Sequence, residues 1–149
     1  MSIGARNNAF TLIAPKILDS IITDVEIIIS LGVLPPIKYK TKGMWDTGAT
    51  MTGISRSLVE KLGLVSIGDG SVSTPNGERY VDAYCIDLML PNDVSIPNLI
   101  TMCIDTKQGT DLLIGMDIIS QGDFSITNAN GKTYFSFRIP SIENNDYTV

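Results

Sequence analysis

A carboxylate at the end of an apolar strand is the feature of this sequence best placed to do chemistry. Asp46 lies in the run MWDTGAT at residues 44–50, and a second apolar segment, Met51 to Ile54, follows it. The strand would fix the position of the carboxylate, and Gly48 would let another backbone approach it closely. Asp, Thr and Gly are also common turn residues, so the triplet alone is compatible with a simple surface turn.

A second short motif stands at a defined distance from the first. Gly115 follows Asp46 by 69 positions and closes the apolar triplet Leu113-Ile114-Gly115. Between the two motifs, Ser57-Leu58-Val59-Glu60 has the capping-box spacing of a helix start, and Gly63 stands where a C-terminal cap belongs. Within residues 71–81, Asn76-Gly77 predicts a hairpin with a two-residue turn in which both positions have positive φ.

The elements that would position these motifs are mostly strands. Phe10–Ile13 and Val25–Ile29 are rich in β-branched residues, and Ile37–Lys42 alternates with lysines before it runs into Asp46. Further strands are predicted at residues 80–90, 99–104, 123–127 and 132–139. An apolar segment lies at residues 112–115, and Met116–Ser120 is compatible with one turn of helix. Many short strands and one short helix predict an all-β, barrel-like domain.

Length indicates a single domain spanning residues 1–149. Residues 1–24 form an N-terminal extension to which the sequence assigns no position. Residues 141–149 form a polar tail that we expect to be mobile.

Composition excludes several classes of function. The chain contains no His, which rules out a His-based catalytic triad and a His-ligated metal site. A net charge of −5 and a pI of about 4.5 argue against a nucleic-acid partner, which would require a basic face. Cys85 and Cys103 are too few for a disulfide scaffold or a four-cysteine zinc site. They could face each other on neighbouring strands, but we expect both to be reduced and buried.

No segment is typical of a secreted or membrane-spanning protein. Residues 1–8 lack the apolar core of a signal peptide. The apolar stretch at residues 27–37 is short and is interrupted by Pro35 and Pro36, so it cannot span a bilayer. We therefore expect a cytoplasmic protein with no membrane partner.

The Asp-Thr-Gly-Ala box at Asp46–Ala49 and the apolar-apolar-Gly box at residues 113–115 together resemble those of the retropepsin-like aspartic proteases. This single-lobe family includes the retroviral proteases. The resemblance extends from about Val25 to Ile139, and Ser55–Leu64 is similar to the Leu-Gly-Leu stretch that follows the active site in cellular members. Three features depart from the family pattern, one of which is the N-terminal extension of about two dozen residues. Trp45 replaces the usual Val or Leu, and Met116-Asp117 replaces the Arg-Asn or Arg-Asp of retroviral members.

The resemblance implies a closed acid-protease barrel that is active as a two-fold homodimer. Catalysis in this family needs two carboxylates about 3 Å apart that share one proton. This chain carries one Asp-Thr-Gly, so the second carboxylate is implied to come from a second copy. The implied function is an aspartic endopeptidase that uses no cofactor or metal. It would hydrolyse an extended polypeptide with water activated between the two Asp46 carboxylates.

The resemblance also implies a role for each residue around Asp46. The catalytic residues would be Asp46, Thr47 and Gly48, with the Thr47 hydroxyls bonding across the two-fold axis. Four residues would support the active-site loop: Ala49, Thr50, Ile114 and Gly115. Four more would form a flap that pairs with the substrate backbone: Thr74, Pro75, Asn76 and Gly77.

Two other interpretations remain open at this point. A catalytically inactive dimerisation or peptide-binding domain could keep the same fold, although an inactive copy has no physical need for a carboxylate buried beside its twin. A lone structural β-domain within a larger assembly would leave Asp46 solvated and the chain monomeric.

Overall fold

The fold is built almost entirely from β-strands. The structure is a computed structural model that describes residues 1–149 except Asn7, Leu31, Val33 and Leu34. Its strands are β1 (Ser2–Arg6), β2 (Ala9–Ala14), β3 (Ile21–Ile29), β4 (Ile37–Trp45), β5 (Gly53–Ser55), β6 (Gly68–Thr74), β7 (Gly77–Met89), β8 (Ser95–Ile104), β9 (Leu112–Ile114), β10 (Asp123–Thr127) and β11 (Thr133–Arg138). The described helical segments are α1 (Arg56–Leu62), α2 (Met116–Ile119) and a 3-10 turn at Ala129–Gly131.

Six strands close into a barrel in the order β3-β4-β9-β5-β8-β7. The barrel closes where residues 26–28 of β3 pair antiparallel with residues 87–89 of β7. The first half of β7 pairs with β6 to form a hairpin that extends the sheet beyond the closed barrel. The predicted all-β barrel is therefore confirmed, and α2 occupies the predicted turn of helix after Gly115.

A separate four-stranded sheet, in the order β1-β2-β11-β10, joins the two ends of the chain. β2 contains the predicted strand Phe10–Ile13 of the N-terminal extension, whose position the sequence did not assign, and it pairs along its whole length with β11. Alternate side chains of both strands are buried, among them Phe10, Leu12, Phe135 and Phe137. This alternation is typical of an antiparallel sheet that packs one face on a core. The N-terminal segment is thus a structural part of this sheet.

Trp45 connects the barrel to the four-stranded sheet. Its ring centroid lies 4.9 Å from that of Phe137 and 5.1 Å from that of Phe135. The buried indole Nε1 donates a hydrogen bond to Thr23 Oγ1 at 2.9 Å, so its N–H is satisfied. Burial of a large apolar side chain stabilises a fold by about 1.5–3 kcal/mol. The bulky residue that departs from the family pattern therefore anchors the strand that leads into Asp46.

Helix α1 begins at a different cap from the one predicted. Ser55 is the N-cap, with extended backbone angles, and its Oγ accepts a hydrogen bond from Leu58 N at 3.1 Å. The predicted N-cap, Ser57, lies inside the first turn, because Ser55 at the end of β5 already supplies the acceptor for the free amides. Gly63 forms the C-cap as predicted, with φ of 62°.

The two cysteines are free thiols in different environments. Cys103 is buried as predicted, whereas Cys85 is exposed, so the prediction that both are buried is wrong. Tyr84 and Ile86 on either side of Cys85 are buried, and the two-residue period of a strand turns Cys85 outward.

The first residues of the C-terminal tail are bonded to Asp123 of β10. The Asp123 carboxylate accepts hydrogen bonds from Ser141 Oγ and from Ile142 N, and it forms an ion pair with Arg138. These contacts hold the pKa of Asp123 well below its usual range, with the Ser141 hydroxyl as the largest cause. The tail therefore starts as an ordered continuation of the four-stranded sheet.

None of the helices that the structure describes is long and apolar enough to cross a membrane. Part of the apolar stretch at residues 27–37 lies outside the described residues.

Candidate active site

Asp46 follows directly after the last residue of β4, and the neighbouring strand β9 fixes its backbone. β4 and β9 run parallel, with Trp45 opposite Ile114, and Asp46 N donates a hydrogen bond to Ile114 O at 2.9 Å. The Ile114 side chain is fully buried. Ile114 therefore belongs to the core through its side chain and holds the Asp46 backbone through its carbonyl.

The Asp46 carboxylate is half-buried at the start of a tight turn. Its Oδ1 accepts a hydrogen bond from Gly48 N at 2.8 Å, and its backbone oxygen accepts one from Ala49 N at 3.2 Å. Oδ2 accepts no hydrogen bond from the described residues. Thr47 and Gly48 are exposed at the crest of the turn. The turn thus presents a carboxylate, a hydroxyl and a glycine at the surface of the chain.

Gly115 packs against the backbone of the same loop. A Cβ at this position would lie 2.7 Å from the Met51 carbonyl carbon and 2.8 Å from the Ala49 oxygen. The residue after Gly115 continues this contact, because Met116 N donates a hydrogen bond to Ala49 O at 2.7 Å. The close approach requires glycine, since any side chain would separate the two backbone segments.

Asp117 is a residue of this region to which the sequence assigned no role. Its carboxylate accepts hydrogen bonds from Thr52 N at 2.9 Å and Thr52 Oγ1 at 2.7 Å. Its own amide donates to Thr50 O at 3.2 Å, and Thr52 Oγ1 in turn accepts a bond from Gly115 N at 3.2 Å. Asp117 therefore ties α2 to the far end of the Asp46 loop. The available signal is its place two residues after Gly115, in the Met116-Asp117 pair that departs from the family pattern.

The predicted flap is a hairpin, but its turn differs from the one expected. Thr74 pairs with Gly77, so the two turn residues are Pro75 and Asn76 rather than Asn76 and Gly77. Positive φ occurs at Gly77 (105°) and not at Asn76, so the prediction of a primed turn is wrong. Pro75 explains the difference, because its ring fixes φ near −65°, which suits the first central position of a type I turn.

The tip of this hairpin is open to solvent. Pro75, Asn76 and Gly77 are exposed, and Thr74 Oγ1 donates a hydrogen bond to Gly77 O at 2.8 Å across the turn. Within the part of the chain that the structure describes, no hydrogen bond joins this tip to the Asp46 loop. The single chain thus brings Ala49, Thr50, Ile114 and Gly115 to Asp46 and leaves the hairpin tip apart from it.

A family model described as "Aspartyl protease" matches residues 38–118, which is more than half of the 149-residue chain. The matched segment contains the Asp46 loop, the hairpin and the Gly115 contact. The chain belongs to the aspartyl protease family. A search of curated proteins found no significant match.

Solved structures with a fold similar to that of this chain include a retropepsin-like aspartic protease from Rickettsia conorii. That structure has a TM-score of 0.55 and 15% identity, and the alignment covers 93% of this chain and 98% of that one. The solution structure of the Simian Foamy Virus (mac) protease aligns with a TM-score of 0.43 and 20% identity, over 65% of this chain and 89% of that one. The retropepsin-like resemblance inferred from the sequence motifs is confirmed.

The chemistry available at the Asp46 turn depends on its carboxylate. Among the described residues, no group of three or more His, Cys, Asp or Glu side chains is arranged to hold a metal ion. A carboxylate with one oxygen bonded to a backbone N–H and the other open can accept a proton from water. Asp46 has this arrangement.

Proposed function

We propose that this protein is an endopeptidase that cuts extended polypeptides as a two-fold homodimer. The observation that carries the proposal is the position of Asp46 on a surface turn, with Thr47 and Gly48 exposed beside it. The sequence has one Asp-Thr-Gly triplet. A second chain related by a two-fold axis would place an identical carboxylate opposite the first.

The proposed reaction uses the two Asp46 carboxylates as one unit. Two carboxylates about 3 Å apart share a proton, because both cannot be ionised at that distance. The ionised member takes a proton from a water molecule held between them. The protonated member donates a hydrogen bond to the oxygen of the scissile carbonyl and stabilises the charge that develops there.

The neighbouring residues have supporting roles in this proposal. The exposed Thr47 hydroxyl would bond to its counterpart across the axis, and Gly48 would let the two loops approach. The β6–β7 hairpin, with Thr74 to Gly77 at its tip, would close over the peptide and pair with its backbone as an added strand. Closure would bring the hairpin tip toward Asp46.

Co-refolding of wild-type and Asp46→Asn chains tests the shared site. The substitution is nearly isosteric, so the variant should fold and dimerise while losing the carboxylate. If a fraction f of the chains is wild-type and partners are random, both carboxylates are present in a fraction f² of dimers. Each site needs both carboxylates. Cleavage of a pooled peptide library at constant total protein should therefore fall to roughly a quarter of the wild-type rate at equal mixing.

The matched control is Asp105→Asn, which changes an exposed Asp in an Asp-Thr-Lys step outside the Asp46 loop. Mixtures with this variant should keep full activity at every ratio. A straight line in f for Asp46→Asn, with dimers confirmed by sedimentation, would show that each chain works alone. A purified Asp46→Asn protein that still cleaves peptides would refute the catalytic role of Asp46, and an inactive wild-type dimer would support a peptide-binding domain instead.

A further inference from the structure

The β6–β7 hairpin has two different faces. Cross-strand pairs fix the faces, because residues directly opposite one another in an antiparallel pair point to the same side. We define the inner face as Gly70, Val72, Thr74, Arg79 and Val81, and the outer face as Asp69, Ser71, Ser73, Glu78, Tyr80 and Asp82. The residues of the outer face are all exposed, whereas those of the inner face other than Arg79 are half-buried.

The inner face points toward the body of the protein near the candidate active site. A Cβ at Gly70 would lie 2.3 Å from Met102 Sδ, so the base of this face packs directly on β8. Met102 N donates a hydrogen bond to Thr52 O at 3.0 Å. Thr52 is the residue that Asp117 ties to the end of the Asp46 loop. A short chain of contacts therefore links the base of the inner face to that loop.

Charges are segregated between the two faces. The three carboxylates of the hairpin, Asp69, Glu78 and Asp82, all lie on the outer face. Its one cation, Arg79, lies on the inner face opposite the half-buried Val72. Arg79 forms no ion pair or side-chain hydrogen bond with any other residue that the structure describes. Arg79 is thus an exposed cation on the inner face whose guanidinium is not engaged by the described residues.

We propose that Arg79 selects peptide substrates that carry a carboxylate side chain, Asp or Glu, at the position that lies beneath it. This inference rests on the proposed function, in which the hairpin closes over an extended peptide. The planar guanidinium can form two parallel hydrogen bonds to a carboxylate, a geometry that the isosteric amide of Gln or Asn does not match. The inner face would thus contribute specificity in addition to backbone pairing.

The expected selectivity is large enough to measure. A hydrogen-bonded charge pair of this kind corresponds to a preference of about 10- to 100-fold for Glu over Gln at one substrate position. Pooled synthetic decapeptides with blocked ends, each carrying Glu or Gln at one position, provide the probe. Cleavage rates give kcat/KM for each pair, and retention on immobilised Asp46→Asn protein gives binding without any need for cleavage.

Three variants separate Arg79 from general charge effects. Arg79→Gln should abolish the Glu preference, and Arg79→Glu should replace it with a preference for Lys at the same position. Arg56→Gln removes the same charge from the exposed start of α1, and Asp82→Asn changes a charge on the outer face. Both controls should retain the wild-type preference.

The outcomes distinguish this inference from the proposed function. Asp46-dependent cleavage with no Glu preference at any position would overturn the role of Arg79 but would still support the proposed peptidase function. A Glu preference that survives in Arg79→Gln, or disappears equally in the two controls, would also overturn it. A Glu preference in binding that Arg79→Gln removes would support the role of Arg79, even if the wild-type protein cleaved none of the peptides.

Discussion

Gly115→Ala is the perturbation for which the structure gives the clearest consequence. The new Cβ would lie 2.7 Å from the Met51 carbonyl carbon, 2.8 Å from Ala49 O and 2.9 Å from Met51 O, whereas ordinary contact begins at 3.4 Å. The backbone segments must therefore separate by roughly 0.5–0.7 Å. All three contacted atoms belong to the main chain, so no flexible side chain can move aside to absorb the strain.

The size of the effect follows from this displacement. Overpacking of a closely packed site costs about 1–3 kcal/mol, and each kcal/mol lowers Tm by roughly 2–4 °C in a chain of this length. The same shift moves the loop that carries Asp46, and a misplacement of about 1 Å near reacting groups can reduce the rate by about 100-fold. We expect kcat/KM to fall by about 10- to 100-fold, which is more than the loss of folded protein would explain.

The assay compares peptide cleavage and thermal unfolding for Gly115→Ala with those for Gly4→Ala. Gly4 lies in β1, and a Cβ there would meet nothing within 4 Å. The control should therefore keep both the wild-type rate and the wild-type Tm. Wild-type kcat/KM in folded Gly115→Ala protein would show that the loop tolerates the shift, and the argument from close approach would fail.

Three further predictions follow from other contacts. Asp117→Asn replaces one acceptor oxygen with a donor, so one of the two Thr52 donors, N–H or Oγ1–H, loses its acceptor. Unfolding in urea should show a loss of about 1–3 kcal/mol, and an unchanged midpoint would contradict this. Gly77→Val forces a β-branched residue into positive φ at the exposed hairpin tip, which can fray without opening the barrel. We therefore expect kcat/KM to fall with little change in Tm. Unchanged kinetics would mean that this hairpin is not the flap. Asp123 has a pKa lowered by Ser141, Ile142 N and Arg138, so its stabilising effect is present above the unfolded pKa of about 3.9 and is lost as the pH falls below it. Asp123→Asn should therefore lower Tm most at pH 7, and the gap from wild-type should shrink toward pH 3; a constant gap would refute the linkage.

Most strands were predictable because their signal is local. β-branched residues identify β3, and alternation with lysines identifies β4, so no partner strand is needed to recognise either one. The closure of β3 against β7 depends on residues about 60 positions apart, and no local pattern reports it. Strand β1 was missed because it is a short edge strand that contains Gly4, and its one large apolar residue, Ile3, is substantially exposed.

The sequence predicts the site residues that lie within a recognisable motif. Asp46 stands out because the Asp-Thr-Gly-Ala box and the apolar-apolar-Gly box occur together, but the importance of Asp117 depends on Thr52, which lies 65 positions away. The error at the hairpin turn arose from competition between two local signals. Asn76-Gly77 favours a primed turn, but Pro75 restricts φ at the preceding position and moved the turn by one residue.

The contacts around Asp46 also determine what dimerisation would have to accomplish. Asp46 N, Met116 N and Asp117 N all donate hydrogen bonds that hold the loop, and each of these bonds forms within a single chain. Trp45 fixes the preceding strand against buried aromatic rings of the four-stranded sheet. Under the proposed function, a partner would therefore meet a loop that is already ordered, and association would cost less conformational entropy than the folding of a disordered loop. The fold of each chain would position one carboxylate, and association would supply the second.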